Sequence, residues 1–409
     1  ACDMAWFNEE SRFQGQWLLM AGLACFFAWT YGSFFSGALM PTVSSLEAEY
    51  AWIFAWIGIG AGIAVAAATA MAVSAGASQR SARILPFVAG LFAAAGSALA
   101  WTGLSLSPSN EALAVAGGTL AGAGMSLLAL CWGRLLSRYN TAQVERTVLA
   151  AFAVSVPAWL ALLFVQGLLL LAGTVALPLA SAYLSIRAAR LKQCEEPASF
   201  TRQRGTRKRA FIQIASLLVL LLLLWIQLSY FRVLAFPSGG GDRLSSYLFP
   251  FVCATAATAV GLFACVTRSR FVNFTLAYRW ALPLMVLGYG LLFVDYGEFN
   301  RSLAYTINLI AMLGVELGCW MAAAKSVGRT DIPPYVLFCG LGIAEGAGVA
   351  IGSALGTTVV GNDWCGQVSG MSFMLLAAVF AVAMIAGFNP RWLSLRLDSD
   401  EEDLALLET

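Results

Sequence analysis

Apolar residues run in stretches of about twenty along nearly the whole chain, broken by short polar loops; a helix of that length crosses roughly 30 Å of hydrocarbon. Twelve stretches can be placed, at 17–39, 50–74, 84–105, 112–133, 147–165, 168–186, 210–233, 246–266, 277–295, 302–324, 334–357 and 367–388. Each predicts a membrane-spanning helix, so the expected fold class is an all-α polytopic membrane protein. Stretches five and six are almost fused, and only a tight turn near Gln166 and Gly167 separates them. Merging them gives eleven spans and puts the two termini on opposite sides.

Loop charge decides between those counts, because Lys and Arg in short loops stay on the cytoplasmic side. With twelve spans, all Lys and Arg except Arg232, Arg243 and Arg301 fall on one side, together with both termini. The expected location is the inner (plasma) membrane, with both termini cytoplasmic. Arg232, at the outer end of the seventh span, is expected to snorkel to the surface.

Composition agrees with a bilayer protein: 60% of the 409 residues are hydrophobic, 11% are charged, and there is no histidine. The nine cysteines are scattered, with no C-x-x-C pair. No metal set can be assembled from them, no disulfide is expected for Cys365, and no cofactor is indicated. Without histidine, a metal cluster or a nucleophile paired with a base, an enzyme is not expected.

Residues 187–209, RAARLKQCEEPASFTRQRGTRKR, form the longest polar interruption. They divide the chain into a cytoplasmic segment 1–16, a first six-helix half 17–186, a basic cytoplasmic linker 187–209, a second six-helix half 210–388 and a cytoplasmic tail 389–409. The halves read as distant repeats. Cys131-Trp132 in span four matches Cys319-Trp320 in span ten, and Trp29 and Tyr31 match Trp225 and Tyr230. Glycines recur in spans two, four and eleven at small-xxx-small spacing, which suits either static packing or a sliding seam between the halves.

Twelve spans in two halves, with both termini inside and a basic central loop, resemble the major facilitator superfamily across residues 17–388. In that family the loop between spans two and three reads G-x-x-x-D-R-x-G-R-R. The matching stretch here, GASQRSAR, keeps Gly76, Arg80 and Arg83 but places Gln79 at the acid and Ala82 at the second glycine. The resemblance implies a gating role for Gly76, Gln79, Arg80 and Arg83, and the neutral Gln79 weakens the charge contact that gates transport in the family.

The tail NPRWLSLRLDSDEEDLALLET carries capping-box spacing at Ser399 and Glu402, and an apolar helical pattern begins at its end. Together with the spans it resembles the membrane part of transmembrane LuxR-type regulators, in which a helix-turn-helix follows the membrane domain. That resemblance implies DNA contact only through a C-terminal domain beyond residue 409.

Candidate chemistry centres on two acids. Glu316 and Glu345 fall near the middle of spans ten and eleven, where a carboxylate is expected to face the protein interior, to be protonated or to meet a cation. Helical spacing sets Trp320 and Met312 beside Glu316. This set suits an aromatic amine or a phenolic ligand held by charge and by stacking. The alternative is a structural hydrogen bond from Glu316, for example to Asn308. Trp29, Tyr31, Gln227 and Tyr230 are further pocket candidates, and Glu345 is expected at the seam between the halves as a structural or gating group. The favoured function is a small-molecule sensor signalling through the C-terminus to a LuxR-type output; the alternative is a secondary transporter of a small organic solute.

Overall fold

The computed structural model describes residues 2–35, 39, 46–74, 79–106, 109–139, 141–192, 207–235, 252–260, 274–293, 298–329 and 333–361. Among these residues all regular structure is helical. In chain order the helices are α1 (Cys2–Trp29), α2 (Leu46–Ser74), α3 (Gln79–Ser105), α4 (Glu111–Leu136), α5 (Thr141–Leu163), α6 (Gly167–Lys192) and α7 (Arg207–Ala235). They continue with α8 at residues 252–260, then α9 (Phe274–Phe293), α10 (Glu298–Arg329) and α11 (Pro334–Gly361). A π-helical turn, Thr30–Phe35, extends α1.

Eight of these helices are long and apolar enough to cross a membrane. The near-fusion of spans five and six resolves into two helices, because α5 stops at Leu163 and Gly167 opens α6 with φ +59°. A β-carbon is strained at that dihedral, which is why glycine stands there. The start of α4 is also written locally: the Asn110 side chain accepts a hydrogen bond from the Leu113 N–H at 3.0 Å, and Glu111 lies in the first turn. The predicted twelfth span, Cys365, the C-terminal tail and Gly76 lie outside the described residues. So do 193–206 of the basic linker. Gln79, Arg80 and Arg83 fall in the first turns of α3, and their side chains are likewise not described.

Helix α10 is the interior element and α6 a peripheral one. An apolar 18-residue stretch within Phe299–Ala324 is 78% buried, against 33% for the corresponding stretch within Gly167–Arg190. Large apolar side chains such as Val65, Phe87, Phe164 and Leu169 are exposed, as a lipid-facing surface requires.

Within the first half, α4 packs on α2 and α3, while α1 packs on α5 and α6. Within the second half, α7 packs on α11 and α9 on α10. The two halves meet along α2 and α11.

The glycines explain most of these approaches. Gly58, Gly118 and Gly122 bring α2 onto α4, Gly96, Gly117 and Gly124 bring α3 onto α4, and Gly348, Gly352 and Gly356 bring α11 onto α7. All of those contacts lie inside a half, so most of the glycine pattern is static packing. The seam between halves is narrower. At Gly60 a β-carbon would lie 2.5 Å from the Gly346 carbonyl oxygen, and at Gly346 one would lie 2.5 Å from the Gly60 carbonyl oxygen. Beside this reciprocal crossing, Gly342 faces Ala67 and Ser126.

Two buried tryptophans bind the first half together. Trp29 Nε1 donates to Ser97 Oγ at 2.9 Å, joining α1 to α3, and Trp132 Nε1 donates to Ser181 Oγ at 2.9 Å, joining α4 to α6. Each indole buries a large apolar surface and satisfies its one donor.

Candidate functional site

A cavity of about 30 Å³ lies between the halves, walled by α1, α2 and α4 on one side and α10 and α11 on the other. Its lining includes Phe26, Phe27, Thr30, Tyr31, Ile63, Met125, Ser126, Glu316, Trp320, Phe338, Gly342 and Glu345. That volume holds a few ordered waters at most, since a benzene-sized guest fills roughly 150 Å³.

Glu316 and Trp320 share a face of α10, as their spacing of four predicts, and both reach the cavity. The Glu316 side chain is buried, and its Oε2 has no hydrogen-bond partner among the described residues. The Tyr31 hydroxyl and the Glu316 carboxyl interact, and Glu345 acts electrostatically on both. Glu345 is only half buried because it opens onto the cavity. Its neighbour Gly346 is the residue that crosses Gly60, so the second acid is both at the seam and in the cavity.

The walls are aromatic. Trp320 stands 6.0 Å from Phe26, 6.3 Å from Phe27 and 5.8 Å from Phe338, ring centre to ring centre. Phe27 stacks on Tyr31 at 5.8 Å. Carboxyls inside an aromatic box can hold a cationic headgroup by charge and by the ring faces. Phe338 closes one end of the cavity by lying on Gly133 of α4, where a β-carbon would overlap its ring.

The structure thus gathers Glu316, Trp320, Tyr31 and Glu345 at one place. It does not gather the other candidates there. Met312 is buried but does not line the cavity, nor does Tyr230. Trp29 is occupied by Ser97. Gln227 belongs to a separate polar network in the second half: its Nε2 donates to Asn308 Oδ1 at 3.2 Å, and its carbonyl accepts from the Tyr289 hydroxyl at 3.3 Å. Asn308 Nδ2 in turn donates to the Ala304 carbonyl at 3.0 Å. Asn308 is therefore the partner of Gln227 and not of Glu316, from which it is separated by two helical turns.

Arg232 departs from expectation most. Instead of snorkelling outward it is buried, with its guanidinium carbon 3.9 Å from the Trp56 ring centre and 5.6 Å from that of Trp52. The residues that sequence reasoning missed are Phe26, Phe27, Thr30, Ile63, Met125, Ser126 and Phe338. Only the Gly-rich faces of α2, α4 and α11 hinted at them, because small residues admit neighbours.

No protein-family profile and no curated protein matches the chain. Solved structures do. The human organic anion transporter TETRAN is similar with a TM-score of 0.58 at 12% identity, over 92% of this chain and 99% of that one. A major facilitator proton:xylose symporter, XylE, gives 0.56 at 15% identity over 92% and 95%. A bacterial homologue of the iron transporter ferroportin, in an outward-facing state, gives 0.56 at 12% identity over 94% and 99%. At these identities the likeness is one of fold: the chain is a multi-pass helical membrane protein with the major facilitator fold. The neighbours are transporters, and no resemblance to a LuxR-type regulator emerges from these comparisons.

Proposed function

We propose that this protein is a secondary transporter of major facilitator type that carries a small organic solute, held between the two halves with Glu316 as its charged contact. The observation that carries the reading is the buried Glu316 Oε2, lacking a hydrogen-bond partner among the described residues and placed in a cavity shared by both halves. A buried polar atom left unmatched in one arrangement is explained when another arrangement supplies its partner. Binding and transport are then one process, in which the halves separate enough to admit the solute and close behind it.

The solute class is an aromatic amine, with a phenolic as the weaker choice. An ammonium matches Glu316 and Glu345, and a ring matches Phe26, Phe27, Tyr31 and Trp320. The chain sits in the plasma membrane with both termini cytoplasmic, as the loop charges require. Gly76, Gln79, Arg80 and Arg83 are assigned the cytoplasmic gating role of the matching family motif, the last three at the start of α3. Gln79 favours the second reading, a small-molecule sensor; transport takes precedence because the structural neighbours are transporters.

The test is thermal unfolding of the purified protein in nanodiscs with tryptamine, phenethylamine and catechol, on the wild type and on Glu316→Gln. A ligand that binds the folded state raises Tm with its occupancy. The reading requires an amine-dependent rise that Glu316→Gln abolishes; equal rises in both proteins, or none with any compound, remove its basis.

A further inference from the structure

The cavity is closed at one end by Phe338 on Gly133. Beyond the other end of the lining, toward the start of α2, a basic side chain of the second half reaches the first half. Arg232 lies in the last turn of α7, in the second half, yet it rests on Trp56 and Trp52 of α2, in the first half. Those two indoles stand four residues apart on α2, 6.5 Å apart and edge to face, and both are buried. Along α2 they lie about 6 and 12 Å beyond Gly60, away from Ile63 and the cavity.

We propose that Arg232 is the latch between the halves at the α1–α2 face, with the Gly60–Gly346 crossing as the pivot it closes over. Three features make this a latch rather than a fixed brace. The glycines of α11 lock it to α7, through Gly348 on Trp225, Gly352 on Ile226 and Gly356 on Val233, so α7 and α11 move as one block. Against α2 that block has the Gly60–Gly346 crossing, where the two backbones meet with only Ile63, Ala67 and Ala350 packed beside the glycines. Finally, a guanidinium at a helix end can exchange an aromatic face for water by swinging outward, so the open form leaves no stranded charge. Closed, the cation gains the faces of two desolvated indoles; open, it gains hydration, and the two arrangements stay close in free energy.

The latch rests on the transporter reading only in requiring that the halves separate, and its test uses no solute. Hydrogen–deuterium exchange is measured on the full chain in nanodiscs for the wild type, Arg232→Met, Trp56→Leu and the double variant. Arg232→Lys and Trp56→Phe are added because they keep a charge and a ring and so preserve packing. Amides of residues 46–60 and 225–235 are expected to exchange about ten-fold faster in either disruptive single variant, from the strength of a desolvated cation–π contact. The acceleration should be smaller in the two conservative variants. The double variant should be no faster than the quicker single one, and amides of residues 320–329 and 335–342, at the opposite end, should be unchanged.

Unchanged exchange at 46–60 in both folded single variants overturns the latch. So does additive acceleration in the double variant, or equal acceleration at both ends, which marks general loosening. If the disruptive variants fail to fold, the conservative pair decides: partial acceleration confined to the α1–α2 face supports the latch, and none refutes it. Failure of amine binding in the earlier experiment leaves this result untouched, so the two claims fail separately.

Discussion

A methyl group at position 60 tests whether the crossing of α2 and α11 holds the halves in the arrangement described here. A β-carbon there would lie 2.5 Å from the Gly346 carbonyl oxygen and 2.6 Å from the Ala350 nitrogen, where 3.4 Å is ordinary contact. The two backbones must therefore part by roughly 0.9 Å, the difference of those distances. Neither obstacle is a flexible side chain, so the strain cannot be relieved by a rotamer change. Overpacking of this kind costs about 1–3 kcal/mol, enough to shift a two-state balance between about five-fold and a hundred-fold. Gly60→Ala and Gly346→Ala are each expected to lower Tm in nanodiscs, and the double variant to lower it by less than their sum, since helices already parted by one methyl accept the second. Gly314→Ala is the control: no described residue lies within 4 Å of its added carbon, and alanine gains up to about 1 kcal/mol of helix propensity. Equal behaviour of Gly60→Ala and Gly314→Ala would refute the tight crossing, and strict additivity of the seam pair would refute the reciprocal contact.

Trp29→Phe is expected to cost about 1 kcal/mol through the lost bond to Ser97, a modest figure because Ser97 keeps its own bond to Ala93. Amine affinity in the thermal-shift assay should stay at the wild-type value, and a loss of affinity would return Trp29 to the binding site. Asn308→Ala strips Gln227 Nε2 of its acceptor when Oε1 already lacks a partner among the described residues. A destabilisation of about 1–3 kcal/mol in denaturation is expected, and a neutral result would mean the network is not closed in solution. Gly133→Ala forces the Phe338 ring off its seat at the cavity end; amine binding should weaken measurably, and an unchanged thermal shift would exclude Phe338 from the contact surface.

The helical, membrane-spanning fold was legible because span length is set by the bilayer, which acts on each segment separately. Even the break between α5 and α6 could be placed, since Gly167 supplies a dihedral that other residues resist. The site was legible along one helix and obscure between helices. Glu316 and Trp320 share a face by helical period alone, and both reach the cavity. Trp29 and Tyr31 sit two residues apart, and nothing local says that Trp29 meets Ser97 on α3 while Tyr31 turns to the cavity; that depends on where α3 packs. Arg232 misled for the same reason. An arginine at a helix end ordinarily reaches for water, and only the neighbouring indoles of α2, some 180 residues earlier in the chain, change that preference. Most of the glycines pointed to close packing without saying against which helix, so the few that join the two halves could not be separated from those inside one.

Exchange in proteoliposomes decides whether a solute bound at Glu316 is carried across the membrane. Vesicles containing the wild type or Glu316→Gln are loaded with unlabelled tryptamine and diluted into a trace of the labelled compound. Label is expected to accumulate transiently with the wild type and to stay at leakage level with Glu316→Gln. Equal accumulation in both would show that the solute does not depend on Glu316, and leakage-level uptake by a wild type that binds tryptamine would show a receptor rather than a transporter.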